Sequence, residues 1–275
     1  MMNNTSWTEN AFKDQYLEAE GLLFSHSMTL AECDLIAQML QLTPEAVVLD
    51  LACGHGRHSL ELAKRGLGRF TGLDYSPEAI LLAQQGSSRA GLPIQWLKGD
   101  MRLIDFEARF DAVFNAYNSL FYWDDATHLG ILRGIHRALR PNGLLWLDVY
   151  NREFMAARSF LEEHPRWGLL MQVRLELSKL KKRLSNMLKP DQVTFVKSIQ
   201  RRFDPLTGVM SGVKSIAFSD GRQYDDPFAV RLYSYTELSR LLEQAGFEVL
   251  SVKSCPNGGE YRLSSVRVAV LARKV

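Results

Sequence analysis

The spacing of apolar positions along the chain changes period several times, and each change predicts an element. In LAECDLIAQMLQL, Leu35, Met39 and Leu42 recur at helical spacing, so roughly 11–42 reads as helical, with Thr29 as a cap. Thr43-Pro44 interrupts that pattern. Ala46–Ala52 is then a short, mostly apolar run without polar alternation, which predicts a strand buried on both faces. Gly54-His55-Gly56 follows, and RHSLELAKRG returns to helical spacing before Gly66 stops it. The same unit recurs. Phe70–Asp74 reads as a strand, and Ser76-Pro77 opens a helix with serine at the cap and proline in the first turn. Ile94–Lys98 and Phe110–Asn115 read as third and fourth strands. DATHLGILRGIHRAL is an amphipathic helix, Pro141-Asn142-Gly143 a turn, and Leu144–Val149 a fifth strand. This alternation predicts an α/β fold built on a parallel sheet.

After Asn151 the rhythm breaks. Val173, Leu177, Leu180, Leu184 and Met187 predict a helix over about 169–189, ended by Pro190. VTFVKSIQRRF, GVMSGVKSIAF and RQYDDPFAVRLYS predict three strands, and the short turns DPLTG and SDGR make them an antiparallel meander. Residues 152–233 therefore read as an inserted cap subdomain, flanked by 1–151 and 234–275 as the main domain. Tyr235–Gly246 predicts another helix, and FEVLSVK and SVRVAVLARK predict two closing strands.

Composition adds constraints. With 275 residues, 46% hydrophobic and 23% charged, the chain has the make-up of a globular enzyme and not of a disordered or fibrous protein. Lys+Arg 33 against Asp+Glu 31 gives no overall case for nucleic acid or anionic membrane as a partner. Three cysteines without a C-x-x-C pair imply no disulfide framework, and a cytoplasmic location is expected. The first ten residues, MMNNTSWTEN, lack a leader pattern, and no apolar run approaches the ~18 residues of a membrane span. The six histidines form no metal-ligand spacing, so no metal is expected.

The first strand–turn–helix, 47–66, carries the most chemistry. Glycines there permit backbone angles closed to other residues and let a ligand approach the main chain. Ligands of doubly wound sheets bind at the carboxyl ends of strands, where Asp50 and Asp74 fall. A carboxylate at the second strand's end can accept both hydroxyls of a ribose. A dinucleotide fingerprint fails at its third glycine, which is Ser59.

Taken together, Asp50-Leu51-Ala52-Cys53-Gly54-His55-Gly56, Asp74 in GLDYSPEAI, Gly99-Asp100-Met101, the Phe-Asp-x-Val strand at 110–113 and the L-R-P-x-G turn at 139–143 resemble the class I S-adenosylmethionine-dependent methyltransferases. The resemblance covers about residues 45–150. It implies a Rossmann-like, seven-stranded, mostly parallel sheet, with 235–273 as its closing elements, and S-adenosyl-L-methionine as cofactor. It further implies that Gly54 and Gly56 let the backbone pack on the methionine part, that Asp50 orients that loop, and that Ala52 and Cys53 in the same bend bind the cofactor. Asp74 would hold the ribose, Tyr75 and Met101 would flank the adenine, and Gly99 and Asp100 would meet its edge. Asn115 and Ala116 would lie near the amino acid moiety. Asp14-Gln15-Tyr16-Leu17, the Arg202–Gly208 hairpin and Arg231–Leu238 are similar to segments of bacterial small-molecule members, amino-sugar N-methyltransferases among them. The 169–189 helix departs from their usual short link.

The implied reaction is displacement at a sulfonium methyl by an acceptor, which requires alignment and desolvation more than a protein nucleophile. Tyr16, Asn118, Tyr122, Arg231 and Tyr233 are candidates for holding a small-molecule acceptor, alongside Tyr117 and Phe121, with Tyr16 the first candidate for a catalytic role. No general base is assigned. Two rival enzyme readings carry less weight. A nicotinamide-dependent oxidoreductase is disfavoured by Ser59 and by Gly99-Asp100-Met101. A nucleic-acid methyltransferase would use the nine Lys/Arg of 174–202, yet Asn115-Ala116-Tyr117-Asn118 lacks the Asn/Asp-Pro-Pro-aromatic motif. The 169–189 helix also offers an apolar stripe with a basic opposite face to a partner, to a second subunit as in a homodimer, or to a membrane surface.

Overall fold

The computed structural model describes residues 24–163, 195–217 and 221–275. The predicted segments at 11–23 and 169–189 lie outside them. Among the described residues ten strands fall into two sheets. The larger contains β1 (Val47–Leu51), β2 (Arg69–Asp74), β3 (Gln95–Lys98), β4 (Phe110–Asn115), β5 (Leu139–Tyr150), β9 (Phe247–Cys255) and β10 (Arg267–Lys274). Their order is β3-β2-β1-β4-β5-β10-β9, and β10 alone runs against its neighbours, antiparallel to both β5 and β9. The smaller, antiparallel sheet has the order β6-β7-β8, from β6 (Phe195–Asp204), β7 (Val209–Ala217) and β8 (Gln223–Arg231). The architecture is thus the mixed α/β, Rossmann-like one expected.

Helices cover both faces of the large sheet, which is why its central strands lack polar alternation. On one face, α1 (His26–Met39) and α2 (Arg57–Lys64) bury Cys33, Ile36 and Leu62 against Val48, Phe114 and Trp146. On the other, α4 (Asp125–Ala138) and α6 (Tyr235–Gln244) bury Ile131, Ile135 and Leu242 against Leu49, Val113 and Leu145. α3 (Pro77–Ala90) packs along β2 and β3. Its start follows the sequence closely: the Ser76 hydroxyl accepts from Ala79 N at 3.1 Å, with proline in the first turn.

Three local expectations are corrected. The cap of α1 is Ser25, not Thr29, because the Ser25 hydroxyl accepts from Met28 N at 3.2 Å and the helix begins a turn earlier. The Pro141-Asn142-Gly143 turn does not precede the fifth strand but sits within it. Pairing steps from Phe110↔Leu139 to Ala112↔Leu144, and the residues between bulge out with Asn142 at φ 61°. A further helix, α5 (Arg152–Glu163), was not anticipated. It starts because the buried Asn151 accepts from Glu153 N and Phe154 N at 3.2 and 3.4 Å while its amide donates to Ser265 O at 2.8 Å.

Candidate active site

The carboxyl ends of β1, β2 and β4 meet at the glycine bend. Ala52, Gly54 and Gly56 all have positive φ (59°, 54° and 79°), turning the chain sharply from β1 into α2. Gly56 is held to glycine twice over, since a Cβ there would lie 2.3 Å from Trp96 Cη2. The Trp96 ring is fixed in turn by Nε1 donating to Ser87 Oγ at 2.9 Å. Cys53 N donates to Leu73 O, tying the bend to β2.

Asp74 organises this corner. Its Oδ2 accepts from Gly54 N at 2.8 Å and its Oδ1 from Ser76 N at 2.9 Å, while its backbone oxygen accepts from Gly99 N at 2.9 Å. One residue thereby joins the glycine bend, the start of α3 and the end of β3. Asp50 lies beneath, wholly buried, with Ser59 Oγ donating to its Oδ2 at 2.7 Å. Burial pushes its carboxyl up to about 7, only partly opposed by Ser59. Asn115 is also buried and donates from Nδ2 to Leu51 O at 2.8 Å, pinning β4 to the end of β1. Ala116 packs at the edge of the core under α1.

At the rim, Tyr75 is exposed and Met101 half-buried against the core. Asp100 opens a single 3-10 turn by accepting from Arg102 N at 2.9 Å, and the Arg102 guanidinium spans both of its oxygens. Partial burial raises the Asp100 carboxyl, but these Arg102 bonds outweigh it and hold the group below its ordinary value.

Beside the bend lies a cluster that sequence reasoning missed. Glu32 of α1, 1% exposed, accepts from Arg57 Nη1 at 2.6 Å, His58 Nε2 at 3.1 Å, Tyr117 Oη at 2.6 Å and Arg267 Nη2 at 2.5 Å. Arg267 also pairs with Asp148, whose Oδ2 accepts from Tyr117 N at 3.1 Å. Burial opposes the charge on Glu32, but its hydrogen bond from His58 and the two arginines hold the carboxyl well below the usual range. His58 is pulled down to about 4 by burial and by Arg57, so it is neutral at pH 7. Two carboxylates and two guanidiniums then balance. Among the described residues Arg57 Nη2 nevertheless remains buried without a hydrogen-bond partner. Consecutive residues Tyr117 and Asn118 have φ of 60° and 58°, a strained bend directly after β4. Asn118 Oδ1 accepts from Tyr150 N at 3.3 Å, whereas its Nδ2 is buried and unpaired among the described residues.

The remaining acceptor candidates sit farther along the fold. Trp123 N donates to His128 Nε2 at 3.0 Å, so the His128 proton is on Nδ1, which donates to Tyr233 Oη at 2.8 Å. Tyr233 then donates to Asp125 at 2.6 Å, and its buried ring belongs to the main core. Arg231 bonds Asp125 and Glu237, both at 3.2 Å. The polar groups of Tyr233 and Arg231 thus fasten β8 to α4 and α6. Tyr122 packs against Met155, Met210, Val230 and Leu232, beneath the small sheet. Tyr16 lies outside the described residues, as does most of the basic 174–202 segment. Among the described residues no helix is long and apolar enough to cross a membrane.

Residues 48–143 match the family described as methyltransferase domain. The chain is similar to the putative methyltransferase YqeM of Bacillus subtilis (strain 168), with 40% identity over 106 residues, 38% of this chain and 42% of that one. The chain thus spans less than half the length of that curated relative. Among solved structures it is similar to the CcbJ methyltransferase of Streptomyces caelestis, with TM-score 0.68 and 17% identity over 92% of this chain and 97% of that one. It is also similar to CalS10, an amino pentose methyltransferase from Micromonospora echinaspora, with TM-score 0.57 and 17% identity over 96% and 98%. At these identities the structural likeness establishes the fold.

Proposed function

We propose that this chain, whose residues 48–143 carry a methyltransferase domain, transfers a methyl group from S-adenosylmethionine to a small-molecule acceptor. The observation that carries this reading is Asp74, a carboxylate at the tip of β2 that grips the positive-φ glycine bend through Gly54 N. In that position it suits a ribose, beside a bend that lets a ligand lie against bare backbone. The cofactor fits an independent feature as well: Arg57 Nη2, buried and unpartnered beside the bend, suits the carboxylate of the methionine moiety. Tyr75 and Met101 would flank the adenine, with Asp100 at its edge. The bound cofactor supplies an activated methyl on a positively charged sulfur.

The chain's own residues then align and desolvate. Asn115 and the Tyr117–Asn118 bend fix the floor on which an acceptor rests, and the unpaired Asn118 Nδ2 offers it a hydrogen bond. The small sheet over Tyr122 and Tyr150 would exclude water from above, as part of the 152–233 insert expected to cap the main domain. His128 is not the base in this reading, because both ring nitrogens are engaged and burial pulls it down to about 4. Buried thiols at Cys33, Cys53 and Cys255 support a reducing, cytoplasmic setting. The small-molecule acceptor is supported by the likeness to the amino pentose methyltransferase CalS10.

Calorimetric titration with S-adenosylhomocysteine and, separately, with NAD tests this reading. Saturable heat with the first alone, lost in Asp74→Ala, is expected. Absence of heat with S-adenosylhomocysteine, or heat unaltered by Asp74→Ala, would overturn it.

A further inference from the structure

We propose that Arg201, projecting from β6 beneath the small sheet, anchors a carboxylate on the methyl acceptor. The inference rests on the methyl-transfer reading and adds the acceptor's chemical class to it. Arg201 and Phe203 share one face of β6, since side chains alternate along a strand, and Phe203 packs on the cluster of Met155, Met210, Val230 and Leu232. The Arg201 side chain is accordingly only 6% exposed. The residue opposite it on β7 is Gly212, so no cross-strand side chain covers the guanidinium stem.

The charge balance around it is incomplete. Among the described residues, other inward-facing ionic groups have partners of matching charge. Glu32 and Asp148 balance Arg57 and Arg267, Asp125 and Glu237 balance Arg231 and Arg152, and Asp226 balances Lys214 at 2.5 Å. Among the described residues Arg201 shares its carboxylate with a second guanidinium. Its hydrogen bond among the described residues runs to Glu162 Oε1 at 3.4 Å, and that same oxygen already accepts from Arg158 Nε at 3.0 Å. Two guanidiniums share one oxygen, and the longer, weaker bond belongs to the more buried group. Burial and the positive charge of Arg158 both disfavour the Arg201 cation, so an incoming anion relieves an existing cost. Among the described residues the surplus is a single positive charge. That matches a carboxylate better than a phosphate monoester, which carries nearly two negative charges at pH 7. Arg201 also lies within electrostatic reach of Tyr150, whose backbone nitrogen donates to Asn118 beside the proposed floor. A carboxylate held at Arg201 would leave the other end of a small acceptor directed toward that floor.

The test uses benzoate and its neutral isostere benzamide, titrated calorimetrically into the full chain with and without saturating S-adenosylhomocysteine. Benzoate is expected to bind saturably and benzamide not. Arg201→Gln is expected to weaken benzoate roughly tenfold or more, the loss of a charged hydrogen bond, with S-adenosylhomocysteine affinity unchanged. Glu162→Gln, at a half-exposed position, is expected to act oppositely. Freeing Arg201 from its shared partner should tighten benzoate about two- to fivefold. Equal binding of benzoate and benzamide, no saturable benzoate binding, or benzoate affinity untouched by both variants would overturn the assignment. Failure of S-adenosylhomocysteine to bind would instead remove the methyl-transfer reading, and benzoate titrated without the nucleoside still reports on Arg201.

Discussion

The Tyr117 hydroxyl donates to Glu32 Oε1 at 2.6 Å, joining the strained bend after β4 to a helix that precedes β1. Through this bond the backbone geometry beside the glycine turn depends on a carboxylate that the motif region does not contain. Glu32→Gln leaves Arg57 and Arg267 buried with one negative charge fewer between them. Removing one partner of a buried ion pair costs about 3–5 kcal/mol. Urea unfolding at pH 7 should show a loss of that size, and an unchanged midpoint would mean the cluster is not holding the fold.

Asp50 and His58 give opposite pH dependences. The folded Asp50 carboxyl, raised from 3.8 to about 7, holds a proton that the unfolded chain has released, so its contribution to stability declines as pH rises between those values. His58, lowered from 6.5 to about 4, excludes a proton that the unfolded chain takes up, so its contribution is lost as pH falls through that window. Asp50→Asn removes only the first. Its stability relative to the parent should therefore increase between pH 4.5 and 7, by roughly 3 kcal/mol from the linkage of one fully shifted group. Denaturant titrations at the two pH values measure the difference, and a constant offset would refute the raised carboxyl.

Gly56→Ala places a methyl 2.3 Å from Trp96 Cη2, on a residue already at φ 79°. Steric and backbone strain act together, and a loss of about 2–4 kcal/mol is expected. Thermal unfolding should show a lower Tm, with weaker S-adenosylhomocysteine binding. A variant with the parent's Tm would show that Trp96 yields easily.

Tyr233→Phe removes the middle of the chain from His128 to Asp125. It leaves His128 Nδ1 without its acceptor, at a cost of about 1–3 kcal/mol. Destabilisation with unchanged S-adenosylhomocysteine affinity identifies Tyr233 as a fastening for β8. Full stability, with loss only in turnover, would return it to the acceptor site.

Much of the main sheet was legible because its signals are local. The apolar run around Val48, the Ser76-Pro77 cap and the Phe110–Asn115 strand each announce themselves within a few residues. The start of α1 was not so clear, since Ser25 and Thr29 are both competent caps and only the hydrogen bond to Met28 N decides between them. α5 was missed because its cap, Asn151, owes its position to carbonyls at 262, 263 and 265. The ionic cluster was out of reach for the same reason. Glu32 and Arg267 are 235 residues apart, and no spacing rule connects them. The candidate cofactor residues rested on motifs, whereas Arg57, Asp148 and Arg267 carried no signal beyond being charged residues near predicted strand or helix ends.

The antiparallel insertion of β10 between β5 and β9 has a temporal meaning. Arg267 opens that strand and reaches Asp148 and Glu32, so the ionic cluster beside the bend closes only once a segment that follows β9 in the chain has paired between β5 and β9. A nascent chain emerging from the ribosome as far as β9 would own every motif residue of the glycine bend and still lack one of the two guanidiniums that balance its buried carboxylates.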